Sequence, residues 1–178
     1  VYPYQPEGLW EALATRNATT YVQDSGKNLY RRSMYTIWKR TSPPPSMMTF
    51  DAPERSLCTV KRQKTSTPLQ ALVLLNDPQF VEASHALAHR MFEEGGETAL
   101  ERIAYAFEWA TSRPPSERER DVLMNVFEKQ RAEFLELPDN AKALLSTCDA
   151  AHDSAAELAA YSMIANLILN LDETVTKS

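Results

Sequence analysis

Residues 67–80, TPLQALVLLNDPQF, constrain the fold more than any other stretch of this chain. Thr67 precedes Pro68 and stands three residues before Gln70. This is the capping-box spacing, with proline at the first helical position, where its missing N–H costs no hydrogen bond. The segment therefore predicts a short helix over about 68–75.

A second helix-start signal follows directly, because Asp77 precedes Pro78. It predicts a longer helix to about residue 94, which Gly95 and Gly96 close. Further helices are predicted in four segments: 97–112, with Leu100, Ile103, Phe107 and Ala110 on one face; 116–136, opened by Ser116 and Glu119; a turn of helix around 139–146; and 155–171, opened by Ser154 and Glu157. Together these segments predict an α-helical bundle over residues 67–178.

The segment 155–171 is apolar on nearly every side, which is typical of a helix at the centre of a bundle. Its polar exceptions follow one narrow stripe that continues past the helix: Ser162, Asn166, Asn170 and Glu173, with Asp172 beside them. Buried amides must be hydrogen-bonded, so we expect a structural polar network with the basic first third of the chain. A ligand site is the alternative.

The first third of the chain is irregular and rich in aromatic residues and proline. Residues 7–15 predict a short helix with Leu9, Trp10 and Leu13 on its apolar side, whereas residues 29–39 could form a helix or a short extended piece. The run Pro43–Pro45 predicts an extended, polyproline-like segment. We therefore expect one mainly α domain over residues 1–178, in which an irregular N-terminal arm (1–66) precedes the helical bundle (67–178).

Charge is distributed unevenly along the chain. Residues 1–64 hold 10 Lys and Arg against 5 Asp and Glu, and residues 65–178 hold 9 against 19, so the balances of +5 and −10 give the net charge of −5. The two parts could neutralise each other, or the basic part could face an anionic partner. The acidic remainder argues against nucleic acid as that partner.

The composition also excludes several classes of protein. Only four glycines occur, so neither common Gly-rich phosphate loop can form. No run of about 18 apolar residues and no export signal appears, which predicts no membrane span. The chain begins with Val1 rather than Met, and we therefore expect a fragment of a longer protein.

The strongest constellation combines cations with aromatic side chains in the first third. Guanidinium groups bind oxyanions through paired hydrogen bonds, and aromatic faces stack on apolar surfaces such as sugar rings. This pattern predicts an anionic-ligand site formed by Arg31, Arg32, Trp38, Lys39, Arg40, Lys61, Arg62 and Lys64. Alternatively, these cations pair inward with the acidic helices and hold the arm down.

Other chemistry is only weakly indicated. His85 and His89 have metal-ligand spacing on a helix, but the wheel places both on the solvent side, and His152 lies on a distant loop, so we predict no metal site. Asp51 and Glu54 could form an acid/base pair, although carboxylates beside a proline more often cap a turn. No catalytic residue can be assigned.

Two cysteines, Cys58 and Cys148, fit no paired metal or haem-attachment spacing. They could form one disulfide in an oxidising compartment, or they could remain two partly buried free thiols.

Several long motifs of the chain resemble the family of domains known as DUF1553 or PSD1: YPYQPEGLW, the stretch from YRRSMYTIWKRTSPPPSM to NDPQFVEAS, TSRPPSERE and ELAAYSMIANLILNLDE. The resemblance covers nearly the whole chain. It matches family motif positions at Arg31, Arg32, Trp38, Lys39, Arg40, Arg62, Thr67, Pro68, Gln70, Asn76, Asp77, Asn170, Asp172 and Glu173.

The resemblance implies more than the residues alone. Members are typically large exported proteins of Planctomycetes and related bacteria, so it implies a periplasmic or cell-surface location and upstream domains of the same polypeptide as partners. The chain looks like the C-terminal half of the family domain. Any c-type haem would belong to the missing upstream domains, because this chain has no haem-attachment motif.

Two hypotheses on function result. The first is a non-catalytic interaction or carbohydrate-binding module of a protein that acts on complex, sulfated polysaccharide. The alternative is half of an active site of a hydrolase or redox enzyme acting on polysaccharide, completed by upstream residues.

Overall fold

The computed structural model describes residues 1–12, 20–146 and 155–176. The chain divides into two compact units, Val1–Gln70 and Ala71–Ser178. Its helices are α1 (Leu9–Ala12), α2 (Pro45–Thr49), α3 (Pro68–Asn76), α4 (Pro78–Glu94), α5 (Ala99–Thr111), α6 (Glu117–Glu136), α7 (Pro138–Leu145), α8 (Ala155–Leu169) and α9 (Asp172–Val175). Among the described residues no β-strand forms, so the prediction of a mainly α fold is confirmed.

The first unit is largely irregular, as the sequence predicts. Besides α1, α2 and the first residues of α3, its described residues form two short 3-10 turns, Gly26–Asn28 and Ser33–Tyr35. Trp10 is buried, and its ring lies 4.9 Å from that of Tyr21. The ammonium group of Lys39 lies 4.1 Å from the centre of the Trp10 ring, so this lysine packs within the unit.

The run of three prolines does not remain extended throughout. Pro44 has the polyproline-like angles φ −57° and ψ 123°, but Pro45 is the first residue of α2. Proline is tolerated at this position because the first helical N–H has no partner within the helix. The prediction of an extended arm is therefore wrong beyond Pro44.

The two helix starts in residues 67–80 are confirmed. The backbone N–H of Gln70 donates to Thr67 Oγ1 at 3.3 Å, and that of Thr67 donates to Gln70 Oε1 at 3.1 Å. At the start of α4 the Asp77 carboxylate accepts from the N–H of Gln79 at 2.9 Å. The helix ends where predicted, with Gly95 as its C-terminal cap.

Capping boxes open two further helices. Ser116 and Glu119 form the predicted box of α6, and Thr98 and Glu101 form an equivalent box at α5. The Thr98 box has the same three-residue spacing as the Ser116 box, and its signal is present in the sequence although we did not predict it.

Helix α8 is the centre of the second unit, as predicted. It packs against α4, α5, α6 and α7, and its residues from Leu158 onward include many with no exposed surface. Tyr161 is one of them: its ring stacks on Phe127 at 4.5 Å and meets Phe92 edge-on at 5.0 Å. In the part of the chain described, no helix has both the length and the apolar character to span a bilayer.

The helical-wheel prediction for His85 is wrong. The side chain is 1% exposed, whereas we placed it on the solvent side with His89, which is half-buried. The physical reason is that α4 packs against both α5 and α8, which widens its buried face beyond the apolar stripe. Burial lowers the pKa of His85.

Two smaller differences concern α5 and α8. In α5 Ile103 and Phe107 are buried as predicted, but Leu100 is 40% exposed. Helix α8 ends at Leu169, and the chain turns before α9 begins at Asp172, so the predicted polar stripe does not lie on one continuous helix.

Candidate functional site

The first unit contains a cleft of about 270 Å³. Six side chains of mixed chemistry line it: Trp38, Arg40, Pro43, Met48, Glu54 and Ser56. It therefore combines an aromatic ring, apolar surface, a cation, a carboxylate and a hydroxyl. Mostly apolar walls with a few polar groups are typical of small-molecule sites, and its size is near the lower end of their usual range of about 300–1,000 Å³.

Two chain segments contribute the lining residues Arg40 and Met48. The chain turns between Lys39 and Ser42, whose N–H donates to the Lys39 carbonyl at 3.0 Å, and this turn carries Arg40. Helix α2, which begins at Pro45, then contributes Met48.

The segment 51–56 contributes the lining residues Glu54 and Ser56, and Asp51 anchors it. Both carboxylate oxygens of Asp51 accept from Thr65 Oγ1, at 2.8 and 2.9 Å, and one also accepts from the Thr65 backbone N–H at 2.8 Å. Gln70 Nε2 donates to the same carboxylate at 3.4 Å and to the Thr49 carbonyl at 2.9 Å. Hydrogen bonds from Thr65, above all, lower the pKa of Asp51.

Arg62 reinforces this anchor through the backbone. Its guanidinium donates to the carbonyl of Asp51 at 2.9 Å and also to the carbonyl of Phe50. Asp51 and Arg55 both have φ of 57°, the left-handed region that non-glycine residues rarely adopt. The Arg55 guanidinium lies 4.6 Å from the centre of the Trp38 ring, so the segment also contacts the aromatic wall.

The structure brings together only part of the predicted anionic-ligand set. Trp38 and Arg40 line the cleft, whereas Lys39 packs on Trp10 and Arg62 bonds to backbone carbonyls. The remaining cations are exposed and are not among the lining residues: Arg31, Arg32, Lys61 and Lys64. Glu54 and Ser56 complete the cleft although we did not predict them as ligand-binding residues.

The hypothesis of an Asp51 and Glu54 acid/base pair receives no support from the geometry. Asp51 is used as an acceptor within its own loop, and Glu54 lines the cleft. The interpretation of Asp51 as a residue that holds a turn fits these contacts.

The amides of the predicted polar network bond within the second unit. Asn166 Nδ2 donates to the Leu74 carbonyl at 3.4 Å, and Asn170 Nδ2 donates to the Ala71 carbonyl at 3.3 Å. Ser162 donates to Leu158 of its own helix at 2.9 Å. The two asparagines thus join α8 to α3, whereas we expected partners in the basic first third.

The two acidic members lie on α9. The Asp172 carboxylate accepts from Thr176 Oγ1 at 3.3 Å. Glu173 accepts from Arg113, at 2.9 Å from Nε and 2.8 Å from the terminal nitrogen. Arg113 also forms an ion pair with Glu119 at 2.7 Å. It lowers the pKa of Glu173, and together with the Ser116 cap it lowers the pKa of Glu119 to about 2. We did not predict that Arg113 pairs with both of these glutamates.

The remaining predictions concern metals and thiols. Within the described residues no three His, Cys, Asp or Glu side chains lie close enough together to hold a metal ion. Cys58 is exposed with a free thiol, but Cys148, His152 and Ser154 lie outside the described residues. Both alternatives for Cys58 and Cys148, one disulfide or two free thiols, therefore stay predictions.

The fold and the cleft together define a mainly α-helical protein whose irregular first unit contains a cleft lined by an aromatic ring, one cation and one carboxylate. The model of the family PSD1, described as "Protein of unknown function (DUF1553)", matches residues 1–127, and the chain belongs to this family. The match includes the whole first unit and ends within α6, so it is shorter than the resemblance we inferred over nearly the whole chain. No curated protein and no solved structure is significantly similar to the chain.

Proposed function

We propose that this chain is a non-catalytic carbohydrate-binding module whose first unit binds an anionic, sulfated sugar in the cleft. The observation that carries the proposal is the shared lining of Trp38, Arg40 and Ser56, with the Glu54 carboxylate as an acceptor for sugar hydroxyls in the same cleft. The face of the Trp38 ring that Arg55 does not cover would pack on the C–H surface of a sugar, the Arg40 guanidinium matches a sulfate or carboxylate, and the Ser56 hydroxyl would bond to sugar hydroxyls.

The size of the cleft and the excess positive charge of the first unit support a small anionic unit of a longer chain as the ligand. A volume of about 270 Å³ fits about one sugar residue rather than a large cofactor. Exposed Arg31, Arg32 and Lys61 add positive charge to the same unit and would raise the local concentration of a polyanion.

The family resemblance supports the wider setting. We propose that the chain is part of a large exported protein of the planctomycete type, located in the periplasm or at the cell surface and linked to the use of sulfated polysaccharide. Its partners would be the upstream domains of the same polypeptide, and any c-type haem would belong to those domains.

Calorimetric titration tests the binding proposal. The ligands are sulfated galactan oligosaccharides and the same oligosaccharides after desulfation, each at about 0.1 and about 1 M salt, where the Debye length falls from about 10 to about 3 Å. We expect binding only of the sulfated ligand, weaker at high salt. An equal, negligible response to both ligands would refute the proposal.

A pair of matched variants assigns the binding to the cleft. Arg40→Gln removes a charge that lines the cleft, and we expect the affinity to fall roughly tenfold or more. Lys27→Gln removes a charge from an exposed 3-10 turn of the same unit and should change the affinity less than about twofold. Equal effects would indicate non-specific attraction between a polyanion and a basic unit.

The alternative function, half of a polysaccharide-acting active site, rests on the carboxylate of Glu54 beside Arg40 in the cleft. It predicts that Glu54→Gln in the whole polypeptide lowers turnover of a polysaccharide substrate without abolishing binding. Arg62→Ala is a second test: unchanged turnover would exclude this residue from the mechanism.

A further inference from the structure

We infer that Asp51 is a positioning residue for the cleft, which it serves by holding the segment 51–56 against Trp38. This inference rests on the proposed function, because it assigns to Asp51 a role in the affinity of the same site. Asp51 itself is not a lining residue. Its effect must therefore pass through the residues that follow it.

The anchor joins the two ends of one loop. Asp51 and Thr65 are fourteen residues apart, and two donors of Thr65 bind the Asp51 carboxylate: the hydroxyl, which lies 2.8 and 2.9 Å from the two oxygens, and the backbone N–H at 2.8 Å. Gln70, which is buried, donates to the same carboxylate and to Thr65 Oγ1, the latter at 3.0 Å. The carboxylate therefore closes the loop at its base, where three donors converge.

The backbone between the anchor and the cleft has little freedom. Asp51 and Arg55 both adopt left-handed conformations, which cost energy in non-glycine residues and persist when the surroundings enforce them. Glu54 lies between these two positions and Ser56 directly follows Arg55, and both line the cleft. Arg55 itself lies over Trp38. A loop released at Asp51 would relax these angles and withdraw all three side chains together.

Asp51→Asn is the sharpest perturbation of this anchor. Asparagine adopts the left-handed conformation readily, so the backbone angle is preserved, but one of the two acceptor oxygens becomes a donor. Thr65→Val removes the hydroxyl from the partner side without touching the cleft. Asp24→Asn is the matched control, because Asp24 accepts a backbone bond from Tyr2 at 2.9 Å in the same unit.

Two measurements on the whole chain report on the loop without any ligand. The first is the rate of tryptic cleavage after Arg55, identified by mass spectrometry, which should rise roughly three- to tenfold in Asp51→Asn and Thr65→Val. The second is the ¹⁵N indole resonance of Trp38, which should move in the direction that Arg55→Ala moves it. Asp24→Asn should change neither signal.

A third measurement links the loop to binding. In both loop variants the affinity for the sulfated oligosaccharide should fall roughly three- to tenfold while the urea midpoint of the helical bundle is unchanged. Loop release with unaltered affinity would refute the positioning role, as would an unchanged Trp38 resonance and cleavage rate. If the unaltered chain binds no oligosaccharide, the proposed function fails, and the affinity role of Asp51 fails with it. The two ligand-free measurements then still decide whether Asp51 holds the segment against Trp38.

Discussion

Tyr161 provides the most direct test of the packing around α8. The side chain has no exposed surface, and its ring contacts Phe127 and Phe92 at centroid distances of 4.5 and 5.0 Å. Truncation to alanine removes the ring from the centre of the bundle and leaves a cavity. Substitutions of this kind typically cost about 3–5 kcal/mol, a range that already includes the loss of aromatic pairing.

The hydroxyl of Tyr161 makes a contrasting prediction. It is buried close to Arg102 and Glu157, which influence its pKa, but it forms no hydrogen bond of ordinary geometry with the described residues; burial, above all, raises this pKa. A buried polar group without a partner is unfavourable by about 1–3 kcal/mol. Tyr161→Phe should therefore leave the free energy of unfolding within about 1 kcal/mol of the original value, or increase it, whereas Tyr161→Ala should lower it by about 4 kcal/mol.

Urea denaturation followed by far-UV circular dichroism measures both effects, with equal m-values as the check that the same surface unfolds. Met163→Ala is the control on the same helix, because this side chain is 37% exposed and should cost less than about 2 kcal/mol. A loss of more than about 2 kcal/mol in Tyr161→Phe would show that the hydroxyl is bonded. A loss below about 1 kcal/mol in Tyr161→Ala would contradict the central position of α8.

Three further predictions concern the second unit. Arg113 and the Ser116 cap lower the pKa of Glu119 from 4.5 to about 2, so the ionised carboxylate stabilises the fold above pH 4.5 and this contribution is lost as the pH falls towards 2. Arg113→Met should therefore reduce the difference between the urea midpoints measured at pH 6 and at pH 3. Because the pKa of His85 is lowered in the folded state, the unfolded state binds a proton at higher pH, and the free energy of unfolding should fall as the pH drops below 6.5. His85→Leu should reduce the change in urea midpoint between pH 7 and pH 5. A Cβ at Gly95 would lie 2.5 Å from the Met91 carbonyl oxygen, so Gly95→Ala should lower the melting temperature, and an unchanged value would show that the turn can widen.

The helix starts could be read from the sequence because caps and first-turn prolines act over about four residues. Thr67, Asp77 and Ser116 determine where their helices begin with little influence from the rest of the chain. The continuous apolar composition of α8 likewise indicated its burial, since no face of that helix favours water. Thr98, three residues before Glu101, carries the same kind of local signal for the start of α5.

The cleft could not be predicted as a set. Trp38 and Arg40 were indicated by their chemistry, but Glu54 and Ser56 join them because a loop closes between Asp51 and Thr65. Neither end of that loop carries a local signal for the other. From their chemistry alone we also predicted Lys39 and Arg62 in the site. In the structure Lys39 instead packs on Trp10, and Arg62 donates hydrogen bonds to backbone carbonyls.

The sequence by itself therefore determined what depends on neighbours along the chain: the helix boundaries, the apolar centre, the uneven charge and the family. The tertiary structure alone decided what depends on distant partners. It buried His85 by packing α4 against two helices, and it joined Arg113 to Glu173 across sixty residues. The physical reason is range: capping and propensity act within a turn, whereas burial and ion pairing depend on which surfaces the folded chain brings together.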